Sequence, residues 1–219
     1  MKNGIKDLGR IEREIRDNFR GDLPVLVMDT GGLIDIEARV RQHNFTCVNE
    51  DRIDSCTSTT YFLQNILKGR PMFITPKTYR EIRNHEGMKL NGHVYELSPS
   101  TLNFSLDSMV YSTQFFIGLN QRVESDQIRY DAYWAARECC KDNPKKYAEG
   151  CSDTDKEILL AIANLSNSNP RNSPQIGVGS VVVVSSDSHV INGSEILKTE
   201  FDGRYSGIFP VSTRCRFRT

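Results

Sequence analysis

The sequence VLVMDTGGLID, residues 25–35, begins with a short, continuously apolar run that ends at Asp29. Pro24 precedes this run, and two glycines follow it closely. A short apolar run between turn-forming residues is typical of a strand that is buried on both faces, as in a parallel sheet covered by helices. Helical periodicity resumes in LIDIEARV, residues 33–40. Asp29 is therefore predicted to lie where a strand passes into a helix.

The same pattern recurs further along the chain. PMFITP (71–76) is a second strand candidate and runs directly into the helical pattern KTYREIRNH. VVVVSSD (181–187) is the most β-rich run, and IFPV (208–211) is one more candidate. Amphipathic helices, including CSDTDKEILLAIANL (151–165), separate these runs. Alternating strands and helices predict an α/β fold, here a three-layer sandwich around a central, mostly parallel sheet.

The length of 219 residues is compatible with a single domain, residues 1–219. Three segments are distinguished within it by their patterns. They are an N-terminal amphipathic helix (1–22), a helical insertion (88–150) and a basic C-terminal tail or last strand (200–219). The insertion carries two helical patterns, LDSMVYSTQFFIGL (106–119) and DQIRYDAYWAARECC (126–140).

The charge balance limits the classes of partner. Lys plus Arg and Asp plus Glu number 28 each, so the net charge is zero, and an anionic partner must be met by a local basic patch or by a metal ion. No hydrophobic signal region and no bilayer-spanning apolar run are found, which predicts a cytoplasmic protein that does not contact membranes. The six cysteines contain no Cys-x-x-Cys pair, so neither a zinc site nor a disulfide framework is predicted.

Acidic residues follow each major strand candidate. Asp29 and Asp187 end two apolar runs, and Glu81 lies in the helix after FITP. Asp153 and Asp155 lie in the first turn of the helix after Cys151. Because ligands bind at the carboxyl ends of parallel strands, these acids are expected to meet at one edge of the sheet. Carboxylate oxygens are the ligands that Mg²⁺ or Mn²⁺ prefers, so the pattern predicts a site for a hard divalent cation.

Helix capping is the simpler explanation for some of these acids taken singly. Asp29 and Asp187 each precede a helical pattern, and Ser152 with Asp155 fits a capping box before an apolar run. Glu81 alone could be part of a solvated helix face. Capping does not explain an acid that lies well inside its helix, as Glu81 does, nor four acids on one edge.

Four motifs occur in a fixed order: VLVMDT, FITPKTYRE, SDTDKEILLAIA and VVVVSSD. They resemble the landmarks of the PIN-domain nucleases, in which acids follow successive strands in this order. The resemblance covers residues 25–187, but not the N-terminal helix, residues 87–150 or the tail. It implies that the acidic set consists of Asp29, Glu81, Asp155 and Asp187, with Ser185 supporting the last. Asp153 is an assisting or replacing ligand for Asp155.

The resemblance implies metal-dependent hydrolysis of phosphodiester bonds with Mg²⁺ or Mn²⁺, by an endoribonuclease acting on single-stranded RNA. Single-stranded DNA is the alternative substrate. A second interpretation is a PIN-like RNA-binding scaffold in RNA processing whose catalysis is lost or controlled by a partner. A homo-oligomer and a regulatory protein partner are both left open. Gly31 and Gly32 depart from the usual pattern after Asp-Thr, and the long segment between Glu81 and Asp155 puts a toxin role in doubt.

Substrate phosphates require positive or polar side chains near the acids. The candidates for nucleic-acid binding are Thr30, Arg80, Arg83, Ser185, Arg214, Arg216 and Arg218. For the arginines of the tail, a solvated chain end is the alternative interpretation. His189, two residues beyond Asp187, is interpreted as a surface or loop histidine, with contact to the acidic site as the alternative.

Three other enzyme classes fit the sequence poorly. An aspartic protease needs a second Asp-Thr-Gly or Asp-Ser-Gly turn within the chain or from a dimer, and none occurs in this sequence. A zinc protease of the His-Glu-x-x-His type is not supported by the histidine spacing. A phosphatase of the haloacid dehalogenase type needs a second Asp two residues after the first, where this chain has Gly31.

Overall fold

The computed structural model of the chain describes residues 6–21, 24–49, 59–70, 72–84, 89–90, 93–94, 126–141, 151–167 and 180–215. Its helices are α1 (Leu8–Asp17), α2 (Thr30–Asn49), α3 (Thr59–Leu67), α4 (Pro76–Asn84), α5 (Asp126–Glu138), α6 (Asp153–Ser166) and α7 (Ser188–Glu200). Its strands are β1 (Val25–Met28), β2 (Met72–Phe73), β3 (Lys89–Leu90), β4 (His93–Val94), β5 (Val181–Ser185) and β6 (Ile208–Ser212).

Four strands form a parallel sheet in the order β2-β1-β5-β6. Strand β1 lies between β2 and β5, and its register pairs Val25 with Val181 and Met28 with Val184. Each of these strands falls within an apolar run that the sequence singled out, so the prediction of an α/β fold with a parallel sheet is confirmed. Because all four strands point the same way, their carboxyl ends lie along one edge.

The apolar side chains of β1 alternate between two hydrophobic clusters. Val25 and Val27 pack into one cluster with residues of α5, α6 and α7. Leu26 and Met28 pack into the other cluster with residues of α1, α2, α3 and α4. Successive side chains of a strand point to opposite faces. The sheet is therefore covered by helices on both faces, which explains why its strands are continuously apolar.

The predicted insertion at 88–150 is described only in part. Strands β3 and β4 pair antiparallel and stand apart from the main sheet. Helix α5 coincides with the pattern at 126–140, and its buried alanines pack in the same cluster as α6 and α7. The helical pattern at 106–119 lies outside the described residues. Within the part of the chain that the structure describes, no helix has the length and apolarity needed to cross a membrane.

The two ends of the described chain also pack on the sheet. Asp7 caps α1 by accepting a hydrogen bond from the Arg10 backbone amide at 2.9 Å, and Ile11 and Ile15 are buried in the core. At the other end, β6 pairs with β5 over five residues. Residues 200–219 are predicted to form a basic tail or a last strand. Residues 208–212 form that strand, and residues 216–219 lie outside the described part of the chain.

Candidate metal centre

The carboxyl ends of β1 and β5 open into a cleft of about 460 Å³. Helices α2, α4, α6 and α7 contribute residues to its walls. The cleft is lined by Asp29, Thr30, Gly31, Ile34, Glu81, Ser152, Thr154, Asp155, Ser186, Asp187, Ser188 and Arg214. The predicted acids Asp29, Glu81, Asp155 and Asp187 are thus brought to one place from four separate segments of the chain.

Asp29 follows β1 and is the most buried of the four acids, with 7% of its surface exposed. Its Oδ2 atom accepts a hydrogen bond of 2.6 Å from the Ser185 hydroxyl. The pKa of Asp29 is raised to about 7 by burial in the first place and by the charges of Asp155, Asp187 and Glu81, against the lowering effect of the Ser185 hydrogen bond. Asp29 is therefore a carboxyl group whose charge changes near neutral pH.

Glu81 is carried by α4 and is held in place by two hydroxyl groups. Thr30 Oγ1 donates to Glu81 Oε2 at 2.9 Å, and Thr154 Oγ1 donates to Oε1 at 2.6 Å. The two threonines come from the first turns of α2 and α6. One carboxylate therefore connects three helices, and its orientation is set by both of its oxygen atoms.

Asp155 belongs both to a helix cap and to the acidic cluster. Its backbone amide donates to Ser152 Oγ at 3.1 Å, and its Oδ2 accepts from the Ser152 amide at 3.2 Å, so the predicted capping box is confirmed. The side chain is buried and lines the cleft. Its pKa is raised, first by burial and then by the charge of Asp187, despite the opposing hydrogen bonds. Asp155 therefore takes part in the helix cap and in the acidic cluster of the cleft at the same time.

Asp187 is the N-cap of α7, and its side chain is 42% exposed. Its Oδ1 atom accepts a hydrogen bond of 2.7 Å from the His189 amide and lies 2.9 Å from His189 Nδ1. His189 is buried rather than a surface or loop residue. Ligand atoms of Asp155, Asp187 and His189 all lie within 4.8 Å of one another. His189 is thus an additional candidate ligand, signalled only by its position two residues after Asp187.

Ser185, the last residue of β5, connects two of the acids. Its hydroxyl donates to Asp29 and accepts a hydrogen bond of 2.8 Å from the Asp187 backbone amide. The side chain is fully buried. Because one hydroxyl satisfies both partners, the carboxylate after β1 and the chain after β5 are fixed relative to each other, as the predicted supporting role requires.

The cleft holds much negative charge and little positive charge. Among the described residues, no Lys or Arg forms an ion pair with Asp29, Glu81 or Asp155. Arg214 lines the cleft, and its Nε atom lies 3.2 Å from Asp35 Oδ2. Like charges at close range disfavour simultaneous ionisation. A cation from solution would relieve that repulsion.

The other predicted site residues lie elsewhere or are not described. Asp153 is 76% exposed, does not line the cleft, and pairs with Lys77 at 3.6 Å and Lys156 at 3.5 Å. Of the two acids in this helical turn, the structure brings only Asp155 into the cluster. Arg80 is exposed and does not line the cleft. The structure does not describe the side chain of Arg83, and it does not describe Arg216 or Arg218 at all.

Gly31 and Gly32 are explained by the close approach of α2 to the end of β5. A Cβ atom at Gly32 would lie 2.7 Å from the Val184 carbonyl oxygen, which is backbone and cannot turn aside. A Cβ atom at Gly31 would lie 2.3 Å from Ser186 Oγ. The two glycines thus allow α2 to start in contact with the neighbouring strand.

Comparisons of the chain with models of protein families, with curated proteins and with solved structures found no match. A function must therefore be argued from the site and not from the fold alone. The site offers carboxylate oxygens, an imidazole and hydroxyl groups in a water-accessible cleft, and this donor set suits a divalent metal ion.

Proposed function

We propose that the chain is a metal-dependent nuclease with a PIN-like three-layer sandwich, which hydrolyses phosphodiester bonds of single-stranded RNA as a cytoplasmic endoribonuclease. One observation carries this proposal. Four carboxylates from four separate segments line one cleft, in the order along the chain that the motifs predict. Among the described residues, no Lys or Arg forms an ion pair with Asp29, Glu81 or Asp155, and Asp187 is paired with His189.

The residues fit Mg²⁺ or Mn²⁺. Asp29, Glu81, Asp155 and Asp187 supply hard oxygen ligands, and His189 adds a nitrogen that Mn²⁺ accepts more readily than Mg²⁺. The raised pKa values of Asp29 and Asp155 reflect burial and mutual repulsion, which a bound dication would offset. When bound, the cation would supply an activated water molecule and neutralise charge on the phosphate.

The chain itself provides orientation around that chemistry. Ser185 holds the Asp29 carboxylate through Oδ2, while Thr30 and Thr154 hold both oxygens of Glu81. Side chains held in this way do not need to reorganise when substrate binds. Arg214, at the cleft wall, is positioned by Asp35 and would contact a substrate phosphate. The cleft therefore contains carboxylates that would bind the metal, hydroxyl groups that orient those carboxylates, and one arginine that would bind the phosphate.

The test is cleavage of fluorescent single-stranded RNA and DNA oligonucleotides with Mg²⁺, with Mn²⁺ and with EDTA. Wild type, Asp29→Asn and Asp153→Asn should be compared. Removing the buried ligand is expected to lower the rate at least about 100-fold. Asp153→Asn removes an exposed acid outside the cleft, so it serves as the matched control and should keep wild-type activity.

Two results would contradict the proposal. Cleavage that persists in EDTA, or that is equally weakened by both substitutions, would separate the activity from the cleft. If wild type cleaves nothing while Mn²⁺ still raises its melting temperature, the scaffold interpretation replaces the enzyme. Preference for DNA over RNA would correct the substrate and leave the reaction type in place.

A further inference from the structure

Outside the acidic cleft, the structure brings Cys151 beside two adjacent cysteines, Cys139 and Cys140. Cys139 and Cys140 follow the last turn of α5, and Cys151 comes shortly before α6. The Cys151 sulfur lies 3.2 Å from the Cys139 sulfur and 3.1 Å from the Cys140 sulfur. The sulfurs of Cys139 and Cys140 are 3.9 Å apart. All three are free thiols. Their separations exceed the disulfide bond length of about 2.05 Å.

The three sulfur atoms also surround a single acceptor. The Ala136 carbonyl oxygen on α5 lies 2.8 Å from the sulfur of Cys151, 3.3 Å from that of Cys139 and 3.5 Å from that of Cys140. A carbonyl oxygen has two lone pairs, whereas three thiols offer three protons. The thiols therefore share this carbonyl and one another as hydrogen-bond partners, and a cation that replaced their protons would contact all three sulfurs at once.

The surroundings restrict what the cluster can do. Cys140 and Cys151 are 1% and 5% exposed within the hydrophobic cluster on the α5 side of the sheet, while Cys139 is partly exposed. The partly exposed Cys139 gives access from solvent. The cluster is therefore open to solvent at Cys139 and enclosed by apolar side chains at Cys140 and Cys151.

We propose that Cys139, Cys140 and Cys151 bind one thiophilic cation, Zn²⁺. In tetrahedral coordination with Zn–S bonds of about 2.3 Å, two sulfurs lie about 3.8 Å apart. The Cys139–Cys140 separation of 3.9 Å matches that value. The separations of 3.2 and 3.1 Å to Cys151 are shorter by about 0.6 Å, so Cys151 must move outward when the cation binds. Three thiolates fill three positions, and water or an external ligand fills the fourth. Thiolates select Zn²⁺ over Mg²⁺ and Mn²⁺, so this site and the carboxylate cleft bind different metals.

The test is titration of the reduced full-length chain with Co²⁺ in excess Mg²⁺, which occupies carboxylate ligands. A thiolate-to-cobalt charge-transfer band is expected that saturates at about one equivalent and disappears when Zn²⁺ is added. Cys139→Ser should weaken Co²⁺ binding at least about tenfold, because a hydroxyl replaces one thiolate. Cys215→Ser, which changes another free cysteine, is the matched control and should leave the titration unchanged.

Absence of the band in reduced wild type overturns the proposal, and this result does not depend on the folding of any variant. A titration that is the same for Cys139→Ser and wild type also overturns it, because the band then arises at other thiols. If the metal-free chain has lost two hydrogens by mass and binds no Co²⁺ after reduction, the cluster is a redox thiol pair and not a metal site.

Discussion

Asp131 and Asp29 are both buried carboxylates, but their partners differ. Asp131 on α5 is fully buried, accepts a hydrogen bond of 2.7 Å from the Tyr205 hydroxyl and forms an ion pair with Arg204. Asp29 accepts one hydrogen bond, from Ser185, and its pKa is raised by burial and then by the charges of three other acids. The chain neutralises the first carboxylate by itself and leaves the second without a counter-charge among the described residues.

The difference teaches how to separate a structural acid from a functional one. Burial alone does not distinguish them, since both carboxylates are removed from water. What distinguishes them is whether the protein supplies the positive charge. Asp131 then stabilises the fold, whereas the cluster around Asp29 stores repulsion that an external cation can relieve. Four measurements would break or sharpen this comparison.

The largest difference in the free energy of unfolding is expected between variants that neutralise Asp131 and Asp29 in turn. Asp131→Asn should lower the free energy of unfolding by about 3 kcal/mol, because it breaks a buried ion pair and weakens the acceptor for Tyr205. Asp29→Asn should cause no loss in metal-free buffer, because it removes repulsion. Urea unfolding in EDTA gives both values. Equal destabilisation by the two substitutions would remove the distinction between the acids.

Added Mn²⁺ should raise the free energy of unfolding through the cleft acids around Asp29 and not through Asp131. Mn²⁺ at 100 times its dissociation constant should stabilise wild type by about 2.7 kcal/mol. Asp131→Asn should keep this increment, and Asp29→Asn should lose most of it. Thermal unfolding with and without Mn²⁺ measures the increment. An increment that survives Asp29→Asn would locate the binding elsewhere.

The pH dependence follows from the raised pKa of Asp29, about 7 against an ordinary 3.8. Between these values the unfolded chain has released the proton that the folded chain keeps, so stability falls as pH rises through this range. Relative to Asp29→Asn, metal-free wild type should lose about 2 kcal/mol between about pH 5 and about pH 7. Urea unfolding across that range is the measurement. A flat difference would mean that Asp29 is ionised throughout.

The smallest effect, on Mn²⁺ affinity, is expected from removing a hydroxyl group that holds the Glu81 carboxylate in place. Thr154→Val keeps the shape of the side chain but removes the hydroxyl that donates to Glu81 Oε1. Mn²⁺ affinity should fall about tenfold, equivalent to about 1.4 kcal/mol, as for other groups that orient metal ligands. Thr199→Val on α7 removes a hydroxyl bonded to the Glu195 carbonyl and is the control. Calorimetric titration with Mn²⁺ should separate the two variants.

The sequence predicts those features that depend on local pattern or on the shared direction of the strands. Strands β1 and β2 and the four valines of β5 are continuously apolar because helices cover both faces of the sheet, so their pattern is readable without the structure. The capping box is readable because its partners lie three residues apart. The meeting of Asp29 and Asp187 is also predictable, since the carboxyl ends of parallel strands share one edge.

The features that depend on helix rotation and long-range packing could not be predicted. Asp153 and Asp155 differ only in which side of α6 faces the cleft, and tertiary packing decides that. Thr154 contacts Glu81 on another helix, and the burial of His189 depends on tertiary packing; no local pattern reveals either. The cysteine cluster escapes spacing rules because its third member joins only when α5 packs on α6. The two glycines after Asp29 are explained only by the nearby strand.

The hydrogen bond between Ser185 and Asp29 joins residues 156 positions apart in sequence. During synthesis, Asp29 and Glu81 therefore leave the ribosome more than 100 residues before Ser185 and Asp187, and Asp155 leaves it about 30 residues before them. Contacts of such high sequence separation form late in folding. We expect a fragment that ends before β5 to bind no Mn²⁺, which equilibrium dialysis would show. For the proposed nuclease, this order keeps a growing chain inactive beside the messenger RNA that encodes it.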